Sequence, residues 1–191
     1  MYTKGVIVGL LLSDGWLIIP TKRSKNARFG FKQSLSRSVY VWFVFNILSH
    51  YCSRFPQLTK SIRLGNKHYG LEFFTRSLPC LTELHSLFYP EGIKIVPRNI
   101  YELLTSVSLA QIIMGDGYAS RHGLILCTDS YCIEDIVRLM NVLMIRYRFE
   151  CTLRYHTPTQ LRIYIKEGSM SLLKQIVKPH MCPSMLYKIN L

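Results

Sequence analysis

The sequence is short of acid. Among its 191 residues Asp and Glu number 11 against 24 Lys and Arg, a formal net charge of +13. That imbalance predicts a polyanionic partner, either nucleic acid or a membrane surface. A membrane-spanning segment is lacking as well, since neither apolar stretch described below approaches the ~20 residues a span requires. Lys4 precedes the apolar residues 5–12 in the manner of a signal peptide, but a charge ends that stretch and no small-residue cleavage pattern follows, which argues against secretion. The six cysteines (Cys52, Cys80, Cys127, Cys132, Cys151, Cys182) form no Cys-x-x-Cys pair and no zinc spacing with His. Several sit in apolar context and read as reduced core residues of an intracellular protein. No segment is low-complexity or linker-like, and 49% apolar content fits a chain with ample core, as one large or two small domains.

One pattern occurs twice. Near the start the chain reads Ile7-Val8-Gly9-Leu10-Leu11-Leu12-Ser13-Asp14-Gly15, and later Leu109-Ala110-Gln111-Ile112-Ile113-Met114-Gly115-Asp116-Gly117. Each is an apolar helical run ending in one carboxylate and a glycine. Glycine there predicts a left-handed residue that stops the helix. Aspartate is unfavourable at that end, because its charge faces the negative pole of the helix dipole. Alone, each run reads as a core helix followed by a turn; the repetition suggests two carboxylates sharing a cation. Gly5, Gly9 and Ser13 fall four apart, a small-residue stripe that would let two helix backbones approach. Val107 and Gln111 on the second run are larger, leaving Gly115 as its small residue.

Between the helices the period drops to two. Residues 16–22 and 28–32 alternate as strands joined by a basic loop, with Pro20 suited to a strand end. Ser36 or Ser38 is expected to cap a helix over residues 39–50, with Val39, Trp42, Phe43, Phe45 and Ile47 buried. A second strand pair follows, placing Ile62 with Leu64 and Leu71 with Phe73 around a turn at residues 66–70. Pro79 opens a helix with Leu81, Leu84, Leu87 and Phe88 on its core face. The order then repeats: a helix over 106–116, strands near 118–120 and 124–128, a helix over 133–148, strands over 152–155 and 160–166, and a helix over 170–177. The reading is α+β, two αββαββα repeats, 1–97 and 106–191, joined by 98–105.

Parity assigns the sheet faces. With Phe29 and Phe31 under the helices, Arg28, Gly30 and Lys32 point outwards, joined by Trp16, Lys22, Arg63 and Arg76. In the second half Ile163 and Ile165 face inwards, leaving Gln160, Arg162, Tyr164 and Lys166 outside with Ser120, His122, Thr128 and Arg154. Such a face suits a β-ribbon reading base edges in a major groove; a solvated sheet face is the plainer alternative. Two carboxylates brought together would repel unless a cation intervenes. Mg²⁺ suits such a pair, taking one or two carboxylates plus waters and phosphate oxygens.

Both motif copies resemble the LAGLIDADG homing endonucleases in their two-motif, single-chain form. Gly9 and Asp14-Gly15 match the first motif, Leu109-Ala110 and Asp116-Gly117 the second, and the likeness extends to Pro183-Ser184-Met185-Leu186-Tyr187-Lys188. The resemblance implies a monomer whose antiparallel sheets form a DNA-binding saddle around a central pair of helices. Asp14 and Asp116 would be catalytic ligands of Mg²⁺ (or Mn²⁺), one for each strand of double-stranded DNA. It further implies polar and basic residues around the carboxylates: Gln33, with Asp129 as its counterpart, and Lys94, with His180 as its echo. Strands of about nine residues would cover ~30 Å, so the two halves would span roughly twenty base pairs. Alternatives are an RNA-binding maturase acting on group I intron RNA, and a non-catalytic DNA-binding regulator. The implied setting is a mitochondrion or a chloroplast, with the chain made inside the organelle and no membrane partner.

Overall fold

The computed structural model describes residues 2–63 and 65–191, with the backbone alone of Arg63. The expected positions of Leu64 and of the Arg63 side chain therefore lie outside the described residues. The chain is α+β. Its first half runs α1 (Tyr2–Leu11), β1 (Gly15–Ile18), β2 (Arg28–Ser34), α2 (Ser38–Leu48), β3 (Gln57–Arg63), β4 (Asn66–Phe74) and α3 (Pro79–Phe88). After the short α4 (Ile100–Leu103), inside the segment expected as a linker, the order repeats. Its elements are α5 (Ser106–Asp116), β5 (Gly117–Ser120), β6 (Gly123–Leu126), α6 (Ile133–Tyr147), β7 (Cys151–Thr157), β8 (Gln160–Lys166) and α7 (Met170–Val177). The two antiparallel sheets share one topology, β1-β2-β4-β3 and β5-β6-β8-β7. Among the described residues no helix is long and apolar enough to cross a membrane.

Two compact units result: Asp14–Leu87, and Phe88–Leu191 together with the residues up to Ser13. In the unit Asp14–Leu87, Phe29, Phe31 and Phe73 form the buried sheet face. α2 covers it with Tyr40, Val41, Val44, Phe45 and Leu48. Of the face expected from sequence only Phe45 is buried, whereas Val39 is 61% and Trp42 40% exposed. Nearly every position of α2 is apolar, so periodicity could not phase it. Aromatic geometry does: Phe31 meets Tyr40 edge-on at 5.5 Å and Phe45 meets Phe73 at 5.4 Å. Neither Ser36 nor Ser38 caps the helix; a 3₁₀ turn, Leu35–Arg37, leads in and Arg37 holds the N-cap position without a side-chain cap bond. β4 begins at Asn66, inside the expected turn, because the reversal is made at Gly65, whose φ of +78° favours glycine.

In the other unit α1 packs on α5. A capping box starts α5: Thr105 Oγ1 accepts from the Ser108 amide, and Ser108 Oγ accepts from the Thr105 amide. The expected left-handed stop at Asp-Gly is not found. Gly117 has φ −84° and ψ 152°, ordinary extended backbone, and the positive-φ glycines among the described residues are Gly65 and Gly92. Gly117 is required by space instead, since a Cβ there would lie 2.7 Å from the Ile113 carbonyl oxygen. Cys151 and Cys182 are buried as expected, but Cys80 and Cys132 are exposed, and no disulfide joins the described cysteines. Burial pushes the Cys151 thiol up to about 12.

Asp135 pins α6 to the segment before α4. It is 4% exposed, accepts the Val96 amide at 2.9 Å and pairs with Arg138 at 2.5 Å, while Arg138 also donates to the Val96 carbonyl. Removing the carboxylate strands a buried amide and a cation. Asp135→Ala is therefore expected to cost about 3 kcal/mol and lower Tm by roughly 6–12 °C in a thermal melt. A shift below about 2 °C would show that the pair holds nothing together.

Candidate active site and nucleic-acid interface

The helix pair is close because of glycine. A Cβ on Gly5 would fall 2.7 Å from Thr105 Oγ1, and one on Gly9 would strike the Ser108 carbonyl and lie 2.7 Å from Gln111 Cβ. Moving along α1 from Gly5 to Gly9 thus moves along α5 from Thr105 to Gln111. The helices run in the same direction, and their carboxyl ends leave the pair at one end. The small residue that α5 contributes is Ser108, wholly buried, rather than the anticipated Gly115 alone. Asp14 follows α1 by a three-residue turn and Asp116 is the last residue of α5; both are half-buried.

A lysine reaches each helix end. Lys94 Nζ donates to the Ser13 carbonyl at 3.1 Å, and Lys188 Nζ donates to the Gly115 carbonyl at 2.8 Å. Each carbonyl belongs to the residue before a motif aspartate, so the two ammonium groups offset the negative helix poles at equivalent points. Lys188, only 5% exposed, was missed in the sequence. Its signal was the terminal Tyr187-Lys188 of the stretch already matched to the family. His180, expected as the echo of Lys94, lies elsewhere: its Nε2 is 3.2 Å from Ser106 Oγ at the opposite end of α5, and its ring neighbours Tyr2.

The carboxylates have different company. Gln33 is 8% exposed and its Nε2 donates to Asp14 Oδ2 at 2.5 Å, while Arg37, also unforeseen, reaches Gln33 Oε1 at 3.4 Å. In the second sheet Gly117 pairs with Leu126 as Gly15 pairs with Phe31. Counting two residues on makes Thr128, not Asp129, the positional counterpart of Gln33. Thr128 is accordingly turned inwards, 2% exposed with its hydroxyl on the Leu161 carbonyl at 2.7 Å, so it does not share the outer face as expected. Asp129 instead grips Arg162, taking Nε at 2.9 Å and Nη2 at 2.6 Å. That grip raises the Arg162 pKa. Asp116 and Asp129 share one neighbourhood: the Cys127 thiol is raised first by burial, then lowered by Arg162 and raised by both carboxylates. Tyr131 is likewise raised, by burial and then by Asp116.

On the first sheet, the alternation holds. Arg28, Lys32 and Trp16 are outside while Phe29, Phe31 and Gln33 are inside. Gly30 is buried beneath its neighbours, since a Cβ would lie 2.5 Å from Trp16 Cε2 and 2.7 Å from Phe74. Arg28 lies flat on Phe74, 4.1 Å from the ring centroid, with its Nε buried and unbonded. Lys22 is exposed in the β1–β2 loop, and Arg76 donates to the His50 carbonyl at the end of the α2 segment. On the second sheet Arg154 lies 3.3 Å above the Tyr164 ring and covers it, leaving Tyr164 7% exposed. Ser120 is half-buried, His122 sits 3.4 Å from Glu167, Gln160 accepts from Thr157, and Lys166 approaches Glu150 at 3.4 Å.

Comparison with known proteins places this architecture. The chain is 30% identical over 174 residues to the cytochrome b mRNA maturase bI2 of Debaryomyces hansenii, covering 88% of this chain and 66% of that protein. To the maturase of the same name from Saccharomyces cerevisiae it is 30% identical over 203 residues, 100% of this chain and 48% of the other. The chain thus spans from about half to just under two thirds of the length of these relatives. Among solved structures, the homing endonuclease I-WcaI bound to its DNA recognition sequence superposes with a TM-score of 0.91 at 23% identity, over 100% of this chain and 86% of that one. The profile of the LAGLIDADG DNA endonuclease family matches residues 4–173, and the chain belongs to that family.

Proposed function

We propose that the protein is a site-specific endonuclease that hydrolyses both strands of a long, asymmetric duplex DNA site and so promotes the mobility of its own intron. One observation carries this reading. Two parallel buried helices, one from each repeat, lead into a motif aspartate, Asp116 as the last residue of α5 and Asp14 in the turn after α1, and each aspartate has a lysine on the carbonyl just before it. The helix dipole disfavours a carboxylate there, so both occurrences run against the local electrostatics.

The donor set fits a divalent cation. Among the described residues no group of three or more His, Cys, Asp or Glu could hold a metal ion, so these residues offer no closed cage. Single hard carboxylates suit Mg²⁺ (or Mn²⁺), which keeps waters and takes phosphate oxygens; Asp14 and Asp116 would hold it. Such a cation, when bound, neutralises phosphate charge and eases deprotonation of an attacking water. The chain itself orients the Asp14 carboxylate through Gln33, and its lysines steady the helix ends. Arg28, Lys22, Lys32, Arg154 and Lys166 meet the DNA backbone and base edges. Arg162, held by Asp129 and 3.4 Å from the Tyr118 hydroxyl, is presented in a fixed pose to a base edge.

The two pockets differ, so the strands should be cut at different rates. Gln33→Ala is expected to slow the cut served by Asp14 by about 10–100-fold, from the loss of one charge-assisted hydrogen bond. A nicked-circle intermediate should then accumulate in a plasmid time course; equal slowing of both cuts would contradict the assignment. The activity itself is tested by incubating the protein with Mg²⁺ and a plasmid carrying the intron-insertion junction. Binding there without a double-strand break would remove the enzyme reading. The names of the yeast relatives favour a second reading, a maturase that assists splicing of intron RNA. We further propose that the gene lies in an organelle genome, that of a mitochondrion before a chloroplast, a reading the cytochrome b names of these relatives support.

A further inference from the structure

The outer side of α2 takes no part in the chemistry above. α2 turns Tyr40 and Phe45 onto the inner face of the first sheet, so its other side lies away from the face that carries Arg28 and Lys32. There an aromatic series runs from the core to the surface. Phe45, 5% exposed, touches Trp42 at 5.5 Å and Phe55 at 5.7 Å between ring centroids, and Phe55 is 69% exposed. Beside Phe55 opens a cleft of about 340 Å³, lined by Phe45, Ser49, His50, Ser53, Arg54 and Phe55. Arg54 is exposed, and from Gly15 through Leu71 the chain contains no Asp or Glu. Cys52, which also lines the cleft, donates to the Leu48 carbonyl, and burial holds its thiol near 11, so it adds no negative charge.

These features select a ligand. An aromatic ring exposed beside a cationic side chain, with hydroxyl and imidazole groups around a cleft, suits a planar base attached to a phosphate. In duplex DNA the base faces are stacked and unavailable; unpaired bases are displayed by loops and bulges of RNA, which proteins read by aromatic stacking and contacts to the 2′-hydroxyl. The absence of acid along the whole segment complements a polyanion and leaves a basic protein surface no ion-pair acceptor for its own cations. We propose that this cleft binds single-stranded RNA, one unstacked base against Phe55, its phosphate on Arg54 and the next base on Trp42. The site shares no residue with the cleavage reading; it deepens the maturase reading, on which it rests, by giving it a binding surface.

The test uses the whole protein. Fluorescence anisotropy measures binding of a labelled twelve-nucleotide single-stranded RNA of mixed sequence and of the DNA strand of the same sequence, for the native protein, Phe55→Ala and Arg54→Ala. DNA cleavage is followed in parallel, so that failure of one reading leaves the other visible. Both positions are exposed, and circular dichroism checks that each variant is folded. The expected result is binding of the RNA, about tenfold weaker in each variant and weaker for the DNA strand, with plasmid cutting unchanged. Unchanged RNA affinity in both variants would overturn the proposal, as would equal binding of the DNA strand. Sedimentation showing a native dimer that Phe55→Ala splits would overturn it too, by assigning the face to a second copy of the chain.

Discussion

Replacing Asp14 or Asp116 by Asn is expected to abolish double-strand cleavage, with the affected strand cut at least about a thousandfold more slowly, while DNA affinity changes by no more than a few fold. Asparagine keeps the shape and one acceptor oxygen, so Gln33 can still donate to position 14. What is lost is the anionic oxygen a hard cation requires. On the proposed function affinity is set elsewhere, by basic and aromatic groups on the outer sheet faces such as Arg28 on Phe74 and Arg154 on Tyr164. Removing a negative charge from a protein of net charge +13 leaves the chain's own attraction to phosphate intact. Gel-shift titration beside a plasmid time course separates the two quantities. A large loss of affinity in either variant would mean that the aspartate is structural.

Gly9→Val is expected to have the larger effect on the fold. The added Cβ alone would strike the Ser108 carbonyl and crowd Gln111, both backbone-fixed or wholly buried, so the neighbours cannot move aside. Separating α1 from α5 opens the core lined by Val6, Leu10, Leu109 and Ile113, each 0% exposed. Overpacking with lost burial should cost about 3–5 kcal/mol, lowering Tm by roughly 6–20 °C, and should remove cutting because the helix ends no longer sit in register. Gly92→Ala is an informative contrast. Nothing lies within 4 Å of its Cβ position, so only its φ of +75° is penalised and cleavage should survive. If Gly9→Val melts like the native protein, the close approach of the helices is not what glycine serves.

Much of this organisation is legible in the residues, and the parts that are not fail for identifiable reasons. The αββαββα order can be read because period-two segments such as Arg28–Ser34 alternate cleanly with apolar helices, some of them bounded by proline or glycine as at Gly15, Pro79 and Gly117. α7 falls where its pattern puts it. The buried face of α2 cannot be read, because a helix apolar on every side has no phase until Phe31 and Phe73 supply one. Asp129 is mistaken for the partner of Gln33 because β6 ends at Leu126, and beyond it parity is carried only by the sheet register. Lys188 hides behind a matching of prolines. Aligning Pro97 with Pro183 sets Lys94 against His180, yet the lysine that reaches the second helix end arrives from after the proline rather than before it. A long side chain conserves its destination in space, not its offset along the chain.

Cleavage as proposed requires Asp14 and Asp116 to bind metal together against DNA. The measurement that tests this most directly is anomalous scattering from crystals of the protein bound to its DNA site in Mn²⁺. The expected map places manganese in contact with oxygens of both Asp14 and Asp116 and with a phosphate of each strand. Manganese bound at neither carboxylate, or the two side chains directed away from the DNA, would contradict it.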